Sequence, residues 1–141
     1  MNGPDPELAQ ARREEAERWL AIVGDDIDMA RAAMHLSPPR PGPAAFHLQQ
    51  AAEKLVKSLL VLVGERVPKT HDLGALVERA IPYVPDLADA LNPLRPLSVW
   101  GVAYRYPTVE EEPEPSVDTL ETTAHTLAEL RTLVLALISS R

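Results

Sequence analysis

The sequence predicts an all-α protein, an antiparallel up-and-down bundle of four to five helices, and three observations carry that expectation. Apolar residues recur at steps of three and four over long stretches, the spacing of helices that each bury one stripe. The apolar content is mostly Leu, Ala, Val and Ile, and aromatics make up only 4% of the chain, a balance that favours packed helices over sheets. Proline-dense segments fall between the periodic stretches, where they act as connectors. A chain of 141 residues can close one core without metal or disulfide support. Residues 1–141 are therefore expected to form a single domain with its core within about 14–138.

The first helix is expected from about Pro6 to about Leu36, with Ala16, Trp19, Leu20, Val23, Ile27, Ala30 and Met34 on one stripe. Gly24 is a tolerated weakness inside it, costing up to ~1 kcal/mol relative to Ala. Residues 37–43, with prolines at 38, 39, 41 and 43, are expected to be an exposed, stiff, non-helical connector. The second helix is expected from about Ala44 to Val63, with Gly64 as its stop. Its periodicity places Leu48, Ala51, Ala52, Leu55, Val56, Leu59, Leu62 and Val63 inward. His47, Gln50, Glu53, Lys54, Lys57 and Ser58 fall on the opposite face. Thr70 or Asp72 can cap a third helix reaching about Ile81. Prolines 82, 85, 93, 96 and 107 divide the next stretch into a short helix near Asp86–Leu91 and a piece through Leu97–Tyr104. Residues 107–115 form a second exposed, proline-rich and acidic connector. The last helix spans about Ser116–Ser139, with Leu120, Leu127 and Val134 buried against Leu48, Leu55 and Leu59.

Composition excludes several kinds of chemistry. Without cysteine there is no disulfide, thiolate catalysis or cysteine-ligated metal. The net charge of -7 is opposite to that of a general nucleic-acid coating protein. Charge is segregated, however. Residues 44–71 carry Lys54, Lys57, Arg66 and Lys69 against Glu53 and Glu65, so a phosphate, if bound, belongs there. No Gly-rich phosphate loop, Ser-His-Asp order or metal-ligand spacing occurs; Asp25, Asp26 and Asp28 share a helix, but adjacent positions point apart. The expectation is no cofactor and no metal. The N-terminus lacks a signal-peptide pattern, and no apolar run approaches the ~20 residues of a membrane span. A cytoplasmic location is expected.

The stretch Gln50-Ala51-Ala52-Glu53-Lys54-Leu55-Val56-Lys57 resembles the signature second helix of HEPN domains, Gln-Ala-x-Glu-Lys-x-x-Lys. Thr70-His71-Asp72-Leu73 is similar to the turn that follows in that family. Tyr104-Arg105-Tyr106-Pro107 is similar to its Arg-Tyr-Pro segment before the last helix. Trp19-Leu20 and Asp25-Asp26 fit its leading helix, so the resemblance covers about residues 14–138. It implies a bundle of four or five helices, often dimeric and often encoded beside a minimal nucleotidyltransferase as a toxin–antitoxin pair. It also implies nucleotide or RNA association, and in many members a metal-independent ribonuclease built on Arg-x(4–6)-His close before the last helix. Here the positions after Arg105 at that spacing are Glu110, Glu111 and Glu112, so no catalytic residue is assigned. The bare spacing recurs as Arg66 with His71 and as Arg40 with His47, outside the family's usual place.

His47, Gln50, Lys54, Lys57, His71, Arg105 and Tyr106 are therefore the candidate nucleotide- or RNA-binding residues. For the α-helical strip the alternative is a solvated face with Glu53 and Lys57 as an i,i+4 pair. For Thr70-His71-Asp72 it is stabilisation of the turn. Arg105 between two tyrosines suits stacking on a base and contacting phosphate, or closing the bundle against an N-terminal acid. His125 is expected on the surface of the last helix without a partner. The favoured function is a non-enzymatic binding or partner domain acting with a nucleotidyltransferase, most simply as a homodimer. An endoribonuclease toxin and a pure dimerisation module are the rivals.

Overall fold

Helix α1 runs over Pro6–Met34 in the computed structural model, which describes residues 5–103 and 114–140. Asp5 starts it by accepting the Glu7 amide at 2.9 Å, and Pro6 occupies a first-turn position where a missing amide hydrogen costs nothing. Its buried stripe holds Ala16, Leu20, Val23, Ile27, Ala30 and Met34, as the periodicity requires, while Trp19 packs half-buried against the core. The helix stops at Met34 rather than Leu36.

Helix α2 covers Pro41–Leu62 and begins three residues earlier than expected. The expected connector 37–43 thus shrinks to four exposed residues, 37–40, and Gly42 is buried. The correction has a simple cause. First-turn amides have no intrahelical acceptor, so Pro41 and Pro43 can start a helix although neither could sit inside one. At the other end Gly64 adopts φ +78° and closes the helix. Its amide donates to the Val61 carbonyl at 3.0 Å and the Glu65 amide to the Leu60 carbonyl at 2.9 Å, the paired bonds of a Schellman stop. Helices α1 and α2 run antiparallel: the Arg40 amide bonds the Ala33 carbonyl at one end, and Arg12 lies over Gly64 at the other.

Asp72 caps helix α3, Leu73–Ala80, accepting the Gly74 amide at 2.9 Å and the Ala75 amide at 3.4 Å. Prolines 82, 85, 93 and 96 leave only tight 3-10 turns and two single-turn helices, α4 (Ala88–Leu91) and α5 (Trp100–Ala103). The helix expected near 86–91 is thus half 3-10, and the piece expected from Leu97 is 3-10 up to Val99 and α-helical only from Trp100. Ser116 caps α6, Val117–Ser139, with its Oγ accepting the Thr119 amide at 3.1 Å. This helix packs on both α1 and α2, and Arg131 Nε donates to the Leu20 carbonyl at 2.7 Å. A Cβ at Gly24 would lie 3.2 Å from Arg131 Nε. The missing side chain therefore admits the α1–α6 clasp and is more than a tolerated weakness.

The fold is all-α, with no strand among the described residues. Leu48, Leu55, Leu59, Leu120, Leu127 and Val134 are each at most 1% exposed within one cluster. Helices α1, α3, α5 and α6 all contact α2, which makes it the central element. That position overturns part of the outward face predicted for it: Glu53 and Ser58 are buried, not solvated. Ser58 meets the demand for a partner by donating to the Leu55 carbonyl at 2.6 Å. Among the described residues, no helix is long and apolar enough to cross a membrane.

Candidate functional site

One edge of α2 stays open to solvent, and His47, Gln50, Lys54 and Lys57 lie along it, each half-buried. The edge is bounded by α1 on one side and by the α3 start and α5 on the other. Two buried carboxylates organise it. Asp26 of α1 accepts from Lys54 Nζ at 2.7 Å and from His47 Nδ1 at 3.1 Å. Glu53 of α2, 2% exposed, accepts from Lys57 Nζ at 3.2 Å and from His71 Nδ1 at 2.5 Å. A carboxylate oxygen can only accept, so both imidazoles carry their hydrogen on Nδ1 and keep Nε2 for other partners.

These contacts alter the electrostatics read from composition. Lys54 and Lys57 face one buried carboxylate each, so with neutral imidazoles this part of the edge carries no net charge. The basic excess of residues 44–71 is instead displaced to Arg66 and Lys69, which are exposed in the loop after Gly64. The Glu53–Lys57 i,i+4 pair is present as anticipated, but it lies inside the protein and not on a wet face.

Beside the edge opens a cleft of about 550 Å³. Phe46, Gln49 and Gln50 supply its α2 wall; His71 and Asp72 stand at its rim, and Ser98, Gly101 and Val102 close the far side. Gln49 is buried, and its Oε1 accepts from Gln50 Nε2 at 2.7 Å. A Cβ at Gly101 would come within 2.9 Å of that carboxamide, so the glycine lets α5 lie directly on Gln49. Ser98 Oγ accepts the Leu73 amide at 2.7 Å, which fixes the α3 start against the same wall.

The predicted candidates thus fall into linked groups: His47 with Lys54 on Asp26, Lys57 with His71 on Glu53, and Gln50 with Gln49. Arg105 and Tyr106 lie outside the described residues, as does most of the 107–115 connector. The Thr70-His71-Asp72 turn does stabilise the start of α3. Asp72 caps α3, the Asp72 amide donates to Thr70 Oγ1 at 3.1 Å, and the His71 side chain, 85% exposed, projects beside the cleft. His125 is on the surface as expected, yet it does have a partner, Glu129 one turn later at 2.9 Å. Asp25 and Asp28 line a separate groove between α1 and α6 while Asp26 turns to α2, so the three acids diverge. Among the described residues no group of three or more His, Asp and Glu is placed to hold a metal.

Sequence reasoning missed Asp26, Gln49 and Glu53 as organisers, and Ser98 and Gly101 as cleft walls. For Glu53 and Asp26 a signal existed: both fall inside the segments that carry the family resemblance, although periodicity alone makes Glu53 a surface residue. Nothing local marks Ser98 or Gly101. Compared with known proteins, the chain matches the family model of the HEPN domain over residues 10–137. No curated protein and no solved structure matches it.

Proposed function

The chain belongs to the HEPN domain family, and from that premise we propose that it is a non-enzymatic binding or partner domain for a nucleotide or RNA, acting with a nucleotidyltransferase in a toxin–antitoxin type of system. The observation that carries this reading is the open cleft where Gln50 and His71 meet, two polar groups held by buried partners and left with unused hydrogen-bonding atoms. Preset polar groups on a concave wall are what ligand recognition requires, because little ordering remains to be done on binding. A twofold homodimer completes the reading, closed twofold pairs being the commonest assembly. Light scattering that returned the 15.5 kDa monomer mass at high micromolar concentration would remove that element.

One observation favours a second reading, a metal-independent endoribonuclease. Glu53 holds His71 by Nδ1 and leaves Nε2 to exchange protons, the arrangement of a general base. Against it, Glu110, Glu111 and Glu112 stand where the family's ribonuclease motif places its histidine. Cleavage needs activation of a 2′-hydroxyl together with charge stabilisation, whereas binding needs only the recognition groups. The test is incubation of the purified protein with a structured RNA at low ionic strength, with and without divalent metal. The expected result is intact RNA that is nevertheless bound. Cutting by the wild type that His71→Ala abolishes, together with Arg66→Ala or Arg105→Ala, establishes the ribonuclease instead. Neither cutting nor binding leaves a pure dimerisation module.

A further inference from the structure

We propose that the outward face of α1 is the surface on which two copies of this chain pair, the two helices crossing antiparallel about a twofold axis near Ile22. This inference rests on the twofold homodimer of the reading above and names the face that forms it. Helix α1 carries two stripes of apolar residues. One, through Ala16, Leu20, Val23, Ile27, Ala30 and Met34, is buried in the core. The other takes positions 8, 11, 15, 18, 22, 25, 29, 32 and 36, at alternating steps of three and four, the spacing of a seam between paired helices. Its apolar members are Leu8, Ala11, Ile22, Met29, Ala32 and, just past the helix end, Leu36, all of them exposed. Half of the exposed large apolar side chains among the described residues stand on this seam, Leu8, Ile22, Met29 and Leu36 at 44–55% exposure. The start of the helix points the same way. No residue from 6 to 15 is buried, so the opening turns of α1 have no core to pack on within one chain. Helices in proteins draw most of their stability from a packed face.

Of the polar residues on the seam, Glu15, Arg18 and Asp25, the last two select the occupant. Both are exposed, and neither has an ion-pair or side-chain hydrogen-bond partner among the described residues. They stand about two turns apart with Ile22 between them. A twofold axis at Ile22 therefore sets Arg18 of each copy against Asp25 of the other. One patch then supplies two reciprocal pairs, as a closed twofold interface requires. A parallel pairing would set Arg18 on Arg18 and Asp25 on Asp25, so charge selects the antiparallel one. The same axis lays Leu8 of one copy beside Leu36 of the other and covers the overhanging helix start.

The experiment measures the dimer dissociation constant of the full chain by analytical ultracentrifugation at low ionic strength, where exposed charges are least screened. Every substitution enters a twofold interface twice. Ile22→Glu is therefore expected to raise the dissociation constant at least about tenfold. Arg18→Asp and Asp25→Arg each set like charges across the axis and should raise it about threefold or more. The double reversal Arg18→Asp with Asp25→Arg restores opposite charges and should return it to near the wild-type value. Leu133→Glu, at an equally exposed apolar position on α6, should leave it unchanged. All four positions are exposed, so the variants should fold, which circular dichroism checks. A monomeric wild type overturns this interface and the dimer reading together. A dimeric wild type that Ile22→Glu leaves intact, or that Leu133→Glu weakens as much, overturns the α1 interface and leaves the dimer standing. A double reversal that associates no better than the single ones overturns the antiparallel pairing.

Discussion

Replacing Glu53 with alanine removes the acceptor shared by Lys57 and His71, and its consequences can be ranked from burial. The Glu53 and Lys57 side chains are 3% and 12% exposed, so this pair has left water almost completely. Deleting one member of such a pair strands the other charge, at about 3–5 kcal/mol. The His71 side chain is 85% exposed, and an exposed partner of this kind contributes about 0–1 kcal/mol. Glu53→Ala is therefore expected to cost about 3 kcal/mol, Lys57→Ala about 2–3 kcal/mol, and His71→Ala less than about 1 kcal/mol. Against a total stability of about 5–15 kcal/mol, the first of these is a large fraction, and it should lower Tm by roughly 10 °C at this chain length. Urea unfolding of the three variants and of the Glu53/Lys57 double variant measures the coupling directly. A His71→Ala cost equal to that of Lys57→Ala, or a Glu53→Ala cost under about 1 kcal/mol, would refute the view of Glu53 as a buried, lysine-dependent carboxylate.

Two further outcomes follow from single positions. Gly64→Ala forces a side chain into φ +78° and towards the Arg12 guanidinium carbon at 2.6 Å, so thermal melts should show a loss of about 1–2 kcal/mol; an unchanged Tm would mean that α2 can end without this stop. The Tyr83 hydroxyl donates to Glu65 Oε2 at 2.8 Å, and that bond, with the carboxylate's charge, raises the phenol above its usual pKa of 10.0. A raised folded pKa means that the contribution is present below the unfolded value and fades as pH rises through the folded one. Absorbance titration near 295 nm should show one phenol ionising earlier in Glu65→Gln than in the wild type, and superimposable curves would contradict the contact.

Much of the fold was legible in the chain because it depends on local rules. A 3.6-residue period sorts Leu20, Leu55 and Leu127 to the inside whatever they pack against, Asp72 and Ser116 satisfy free amides at helix starts, and Gly64 alone tolerates the left-handed turn. The motif around Glu53 and Lys57 likewise identified the family without any coordinates. What the chain alone left open depends on which elements surround a residue. A helix wheel assumes one wet face, but α2 is enclosed by α1, α3, α5 and α6, so Glu53 and Ser58, polar and correctly placed opposite the leucines, are buried all the same. The partners that make this tolerable lie 18 residues from Glu53 at His71 and 28 residues from Lys54 at Asp26. Gly101 reaches Gln49 from another helix altogether. Periodicity carries no information about such separations. Only the packed bundle determines which carboxylate neutralises which lysine, and therefore that the apparent basic strip is a balanced edge beside an uncharged cleft wall.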